Sequence, residues 1–169
     1  MTAQNKRIEV TLETTFESVD LAEDITSRVA DATGFDKEDC YRISISVREG
    51  VINAVQWGNQ QERSKKICLT FELAADRLVI RVLDQGAGFD LVDVPDALAE
   101  ENLLKNSGRG ILIIRSFMDE LTVRRGCHGG AEVVMAKRYP AARRGEAPTG
   151  RGEAQPRPAE ESEGGSSEF

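Results

Sequence analysis

The sequence predicts an α/β (α+β) two-layer sandwich, with helices packed on one mixed, mostly antiparallel sheet. Three observations predict it. Several short stretches alternate apolar and polar residues with the period of a strand. Two longer stretches near the start repeat with the period of a helix. Turn residues separate these segments at short intervals, so neighbours can pack without long excursions. Segments that each offer one apolar face are buried most economically as helices over a single sheet.

Lys6 to Leu12 forms the first strand, with Ile8, Val10 and Leu12 on one face. Residues 17–33 form a helix: Ala22, Ile25, Val29 and Ala32 recur at helical spacing, and Gly34 suits its stop. Asp36 caps a second helix that runs to about Trp57 and ends at Gly58-Asn59. Two strands follow, Lys66–Leu73 and Arg77–Asp84, joined by a hairpin turn at Ala75-Asp76. Gly86 to Ser107 is a long connection rich in Gly, Pro and acidic residues. A third helix starts near Gly108 and runs to about Met118. Strands Leu121–Arg125 and Ala131–Tyr139 close the body around a Gly-rich turn.

This body, residues 1–139, reads as one domain. Residues 140–169 read as a disordered tail: four of the five prolines lie there, and the stretch after Tyr139 lacks Leu, Ile, Val and Met. The formal charge of −7 disfavours a duplex nucleic-acid binder, which needs a surplus of Lys and Arg. No apolar run approaches the roughly 20 residues that span a bilayer. The first ten residues hold no apolar stretch of the secretory kind. Cys40, Cys68 and Cys127 form no CxxC pair and read as small buried hydrophobes in a reducing compartment. A cytoplasmic protein with no direct nucleic-acid or membrane partner is expected.

Three clusters can carry chemistry. In the second helix, Val47, Val51 and Val55 face the core, while Glu49 and Asn53, also four apart, share another face. A carboxylate there can act as a base, and an amide oxygen beside it can ligate a hard cation. Gly50 is costly inside a helix and suggests a close approach to the backbone. The second cluster is Asp84-Gln85-Gly86-Ala87-Gly88-Phe89. Strand alternation aims Asp84 into an apolar site, where it needs hydrogen-bond donors. An adenine amino group is one such donor, and Gly86 and Gly88 allow a flat ligand to approach the backbone. The third cluster is Asn106-Ser107-Gly108-Arg109-Gly110-Ile111, a polar, glycine-bearing helix start suited to anions, with Arg109 as an added cation. Each cluster alone has an ordinary explanation: solvated helix residues, a tight turn, a capped core helix. Neither a P-loop nor a Rossmann fingerprint is present. His128, the one histidine, reads as a surface turn residue.

Taken in order and at this spacing, the clusters resemble the ATPase family shared by histidine kinases, gyrase-type topoisomerases, Hsp90-type chaperones and mismatch-repair proteins. The body looks most like its branch of anti-sigma-factor serine/threonine kinases (RsbW type), whose domain has the Bergerat, or histidine-kinase-like, fold. Glu49-Gly50-Val51-Ile52-Asn53-Ala54 is similar to that family's N box, and Asp84 to Phe89 to its first glycine box. Leu103 to Ile111, continuing through Ile114 to Glu120, is similar to its second.

The resemblance implies that Glu49 is the catalytic base and that Asn53 holds Mg²⁺ against the phosphates of ATP. It implies that Asp84 recognises adenine, that Gly86, Gly88, Gly108 and Gly110 shape the cofactor pocket with Ser107 and Arg109, and that about Leu91–Ser107 is a lid. It further implies transfer of the ATP γ-phosphoryl group to a Ser or Thr of a small anti-anti-sigma (STAS-domain) protein, alternation with a sigma factor, and a homodimer. Two other readings stand beside it: an ATP-binding partner switch that sequesters its partner without efficient transfer, and an ATPase with water as acceptor. Trp57-Gly58 stands where the branch often has His-Gly, a departure near the pocket.

Overall fold

A computed structural model describes residues 6–88 and 109–141 of the chain. Five strands form one sheet: β1 (Lys6–Glu13), β2 (Lys66–Leu73), β3 (Arg77–Leu83), β4 (Glu120–Arg125) and β5 (Ala131–Arg138). Their order is β1-β2-β3-β5-β4, and each neighbouring pair is antiparallel. Helices α1 (Phe16–Ala32), α2 (Lys37–Asn53) and α3 (Arg109–Phe117) complete the sandwich, with α2 packed between α1 and α3. This is the α+β sandwich expected from the alternation of elements.

Period-two patterning sets the sheet's two faces. Ile67, Leu69 and Phe71 of β2, Leu78, Ile80 and Val82 of β3, and Val133 and Met135 of β5 are buried in one core with the helices. The opposite face carries cross-strand ion pairs, Arg81 with Glu72 and Arg124 with Glu132. The β2–β3 hairpin turns as expected, closed by the Ala74 N–H donating to the Arg77 carbonyl at 3.0 Å. Edge strand β1 follows the expected face unevenly: Leu12 is buried, Val10 half-buried and Ile8 exposed.

In α1 the buried stripe is not the one the apolar spacing suggested. It runs through Val19, Ala22, Thr26 and Ala30, while Ile25 and Val29 are half-buried and Ala32 is exposed. Thr26 enters the core because its hydroxyl donates to the Ala22 carbonyl at 2.6 Å, which satisfies it within its own helix. Gly34, at φ 90°, follows the last turn as expected of a helix-ending glycine.

Asp36 caps α2 through the Asp39 N–H, which donates to its Oδ1 at 2.8 Å. Burial rather than propensity holds this helix. Ile43, Val47 and Val51 are fully buried, each worth roughly 1.5–3 kcal/mol. That outweighs the roughly 0.7 kcal/mol or less that a β-branched residue costs a helix. Arg48 links α2 to α1, donating to Asp20 Oδ1 at 2.8 Å and Glu23 Oε2 at 2.6 Å.

The second helix does not continue unchanged to Trp57. It becomes a π turn over Ala54–Gly58. Two left-handed residues follow, Gln60 at φ 52° and Gln61 at φ 59°. Cys40 is buried and Cys68 half-buried, as expected of small hydrophobes, but Cys127 is exposed in the β4–β5 turn. His128 is exposed beside it. The lid segment, Asn106, Ser107, Gly108 and nearly all of the tail lie outside the described residues.

Candidate nucleotide site

Gly110 of the third cluster meets Glu49 and Asn53 of the first, and Asp84, at the end of β3, meets Gly58 in the π turn that continues α2. Helical spacing turns Glu49 and Asn53 toward α3 while Val47 and Val51 enter the core. Gly110, buried in the first turn of α3, lies directly over both. A Cβ at Gly110 would stand 2.7 Å from Glu49 Oε2 and 3.6 Å from Asn53 Nδ2. Glycine is therefore what allows the helix start to close on this pair. A carboxylate against an N-terminal turn is also favoured by the dipole of the helix. Asn53 Nδ2 is buried without a hydrogen-bond partner among the described residues. Such a group is costly unless something else meets it.

Gly50 has the close approach that its place inside the helix suggested, and the sheet supplies it. It is buried against the sheet, where a Cβ would come 3.4 Å from both Met135 Cε and Val82 Cγ2. The close approach at Gly50 is helix-on-sheet packing rather than ligand contact.

Asp84 follows Leu78, Ile80 and Val82 on the buried side and is only 5% exposed. Its burial is sustained by backbone donors. Oδ1 accepts from the Gly86 N–H at 2.9 Å and from the Ala131 N–H at 3.0 Å. The Asp84 N–H donates in turn to the Ala131 carbonyl at 3.1 Å. The carboxylate is thus fixed by one oxygen. Its other oxygen, Oδ2, faces Gly58, where a Cβ would intrude to 2.1 Å. A fixed, acceptor-only oxygen in a nearly dry recess can select a ligand that presents an N–H donor.

The glycines around Asp84 make room for protein backbone. A Cβ at Gly86 would fall 2.1 Å from the Gly58 carbonyl oxygen. Gly88, at φ 69°, would meet the Gly130 carbonyl oxygen at 2.7 Å. Gly130, at φ 73°, would meet the Asp84 carbonyl oxygen at 2.1 Å. The Arg125 Nη2 donates to the Ala87 carbonyl at 2.9 Å and ties this loop to β4. Arg109 opens α3 and is exposed, a position from which its guanidinium can meet an anion. Trp57 is exposed on the π turn, next to the site's Gly58.

Sequence reasoning missed Gly58, Asn59 and Gly130 as parts of this site. Gly58-Asn59 carried the signal of a helix stop, and Gly130 that of a hairpin turn. Nothing local reports that both meet around Asp84. Among the described residues, no group of three or more His, Cys, Asp or Glu converges as a metal cage. No helix among them is long and apolar enough to cross a membrane.

An open antiparallel sheet under three helices, with the paired acid and amide on α2 and the buried Asp after β3, defines the class. Residues 12–137 match the histidine kinase-like ATPase domain, and the chain belongs to that family. Its relatives narrow this to the RsbW type. The chain is 33% identical to the serine-protein kinase RsbW of Staphylococcus epidermidis, over 69% of this chain and 77% of that protein. It is 28% identical to the RsbW of Bacillus subtilis (strain 168), over 66% and 72%. It is 27% identical to the RsbW of Listeria monocytogenes, over 81% and 90%.

Proposed function

We propose that this chain is an ATP-dependent protein serine/threonine kinase and anti-sigma factor acting in the cytoplasm. Its acceptor would be a small anti-anti-sigma protein of the STAS type, and its alternative partner a sigma factor. The observation that carries this reading is the convergence of Glu49 and Asn53 beneath Gly110, at the start of α3. The names of its relatives, serine-protein kinases, point the same way.

In this reading Asp84 Oδ2 accepts from the adenine amino group, and Gly86 and Gly88 border the base. Ser107, Gly108, Arg109 and Gly110 receive the phosphates through backbone N–H groups and the Arg109 guanidinium. A divalent cation would fit beside Asn53, because one end of that buried amide has no partner among the described residues, and turning the amide would present its oxygen there. When bound, Mg²⁺ would neutralise charge on the phosphates, as it does when shared between a protein oxygen and a substrate. Glu49 would take the hydroxyl proton of the acceptor Ser or Thr as its oxygen bonds to the γ-phosphorus. The bond from that phosphorus to the β–γ bridging oxygen breaks, and ADP leaves. Little covalent work falls to the protein, so positioning and charge carry the rate. A homodimer is part of the same proposal.

The test is incubation with labelled ATP, Mg²⁺ and the small protein encoded beside this one. Label on a Ser or Thr of that protein is the expected result. ATP binding without any label would favour the reading as a partner switch that only sequesters. Glu49→Ala should lower transfer by at least about a hundredfold and leave nucleotide affinity nearly unchanged. Equal loss of both would mean that Glu49 is not the base.

A further inference from the structure

We infer that Asn59 is a positioning residue for the base-reading loop, an inference that rests on the nucleotide reading above. Asn59 is fully buried. Its Nδ2 donates to Thr14 Oγ1 at 2.8 Å and to the Lys66 carbonyl at 3.1 Å. Its Oδ1 accepts from the Gln85 N–H at 2.8 Å. The clasp extends on both sides: Thr14 Oγ1 donates to the Lys65 carbonyl at 2.7 Å, and Gln85 Oε1 accepts from the Lys66 N–H at 2.6 Å. One amide therefore joins four places: the end of β1, the start of β2, the end of the π turn and the residue after Asp84.

The consequence for Asp84 is direct. Gly58, which abuts Asp84 Oδ2, is the chain neighbour of Asn59. Gln85, whose amide Asn59 holds, lies between Asp84 and Gly86, which donates to Oδ1. Asn59 thus grips both walls of the carboxylate without touching it. Gln60 and Gln61 give independent support. Two successive non-glycine residues in the left-handed region persist only where the surroundings over-determine them. The Gln61 N–H donates to the Val55 carbonyl at 2.8 Å, and the Asn59 N–H to the Ala54 carbonyl at 2.7 Å. Strained backbone and buried amide together fix where the chain leaves the π turn, and so where Gly58 stands.

The experiment is calorimetric titration of the full chain with ATP and with GTP, in the presence of Mg²⁺. Asn59→Ala should raise the Kd for ATP on the order of tenfold and narrow the preference for ATP over GTP, at unchanged stoichiometry, the scale expected when buried donors lose their partner. Thr14→Val keeps Asn59 but removes one of the two acceptors of its Nδ2, and should raise the Kd about threefold. A merely structural role would instead lower the bound fraction at unchanged Kd and unchanged preference, and would overturn the inference. If Asn59→Ala does not fold, Thr14→Val decides: an unaltered Kd in that variant overturns it equally. Wild-type protein that binds no ATP would overturn the functional reading itself, whereas wild-type binding matched by both variants overturns only the role of Asn59.

Discussion

Gly58 and Asp84 meet backbone to carboxylate: a Cβ on Gly58 would stand 2.1 Å from Asp84 Oδ2. The side chain proposed to read adenine is therefore shaped by a residue 26 positions earlier, at the end of the π turn. Gly58→Ala should push the carboxylate aside. ATP affinity should fall at least about tenfold, and folding stability by roughly 1–3 kcal/mol, the usual cost of overfilling a packed site. Calorimetry and urea unfolding check the two separately. Unchanged affinity would show that Oδ2 does not face the ligand.

Asp84→Asn keeps the shape of the side chain and one oxygen for the Gly86 and Ala131 amides. It replaces the outward oxygen with a donor, which then opposes the donor of an adenine amino group. ATP binding should weaken by about tenfold or more, with little change in thermal midpoint. An unaltered Kd would contradict the adenine assignment.

Removal of the divalent ion tests Asn53. With Mg²⁺ present, Asn53→Ala should bind ATP more weakly than the wild type. With a chelator, the two should bind alike, since the lost amide then has no ion to hold. A deficit that persists in the chelator would assign Asn53 to packing.

Thiol reactivity should separate the cysteines. Burial pushes the Cys40 thiol up, and Asp31, Asp36 and Asp39 add to it, so little thiolate forms there at neutral pH. Cys127 is exposed and should be alkylated first, and Cys40 only on unfolding. The sign for stability follows from the same shift. The folded chain favours the neutral thiol, so this contribution is complete below the ordinary thiol range and declines as pH rises through it. Rapid labelling of Cys40 in the native protein, measured by mass spectrometry, would contradict its burial.

Much of the fold was legible in the sequence because alternation in the strands maps directly onto burial. Leu78, Ile80 and Val82 announced the buried face of β3, and Asp84 continued it. Glu49 and Asn53 were legible as a pair because helical spacing alone puts them side by side. What the sequence hid has two physical origins. The first is intrahelical satisfaction: Thr26 looked polar, yet its bond to Ala22 lets it enter the core in place of Ala32. The second is long-range contact. Nothing near Gly58, Asn59 or Gly130 indicates Asp84, because these contacts arise only when the π turn, β3 and the β4–β5 hairpin are assembled. Gly50 was half legible for the same reason: the sequence showed that something comes close, and only the assembled sheet shows what it is.

The extra residue carried by the π turn makes backbone winding here as consequential as composition. Rewinding residues 54–58 as ordinary α-helix, with none of them removed, would swing everything downstream by about 100° around the axis. Gly58 would leave the recess and Asn59 would lose its clasp, even with each side chain retained. Insertions and deletions between the second helix and the second strand should therefore be tolerated best at the solvent-facing residues 62–64. Anyone grafting this domain should treat the count of residues from Asn53 to Gln61 as invariant, and vary the tract after it.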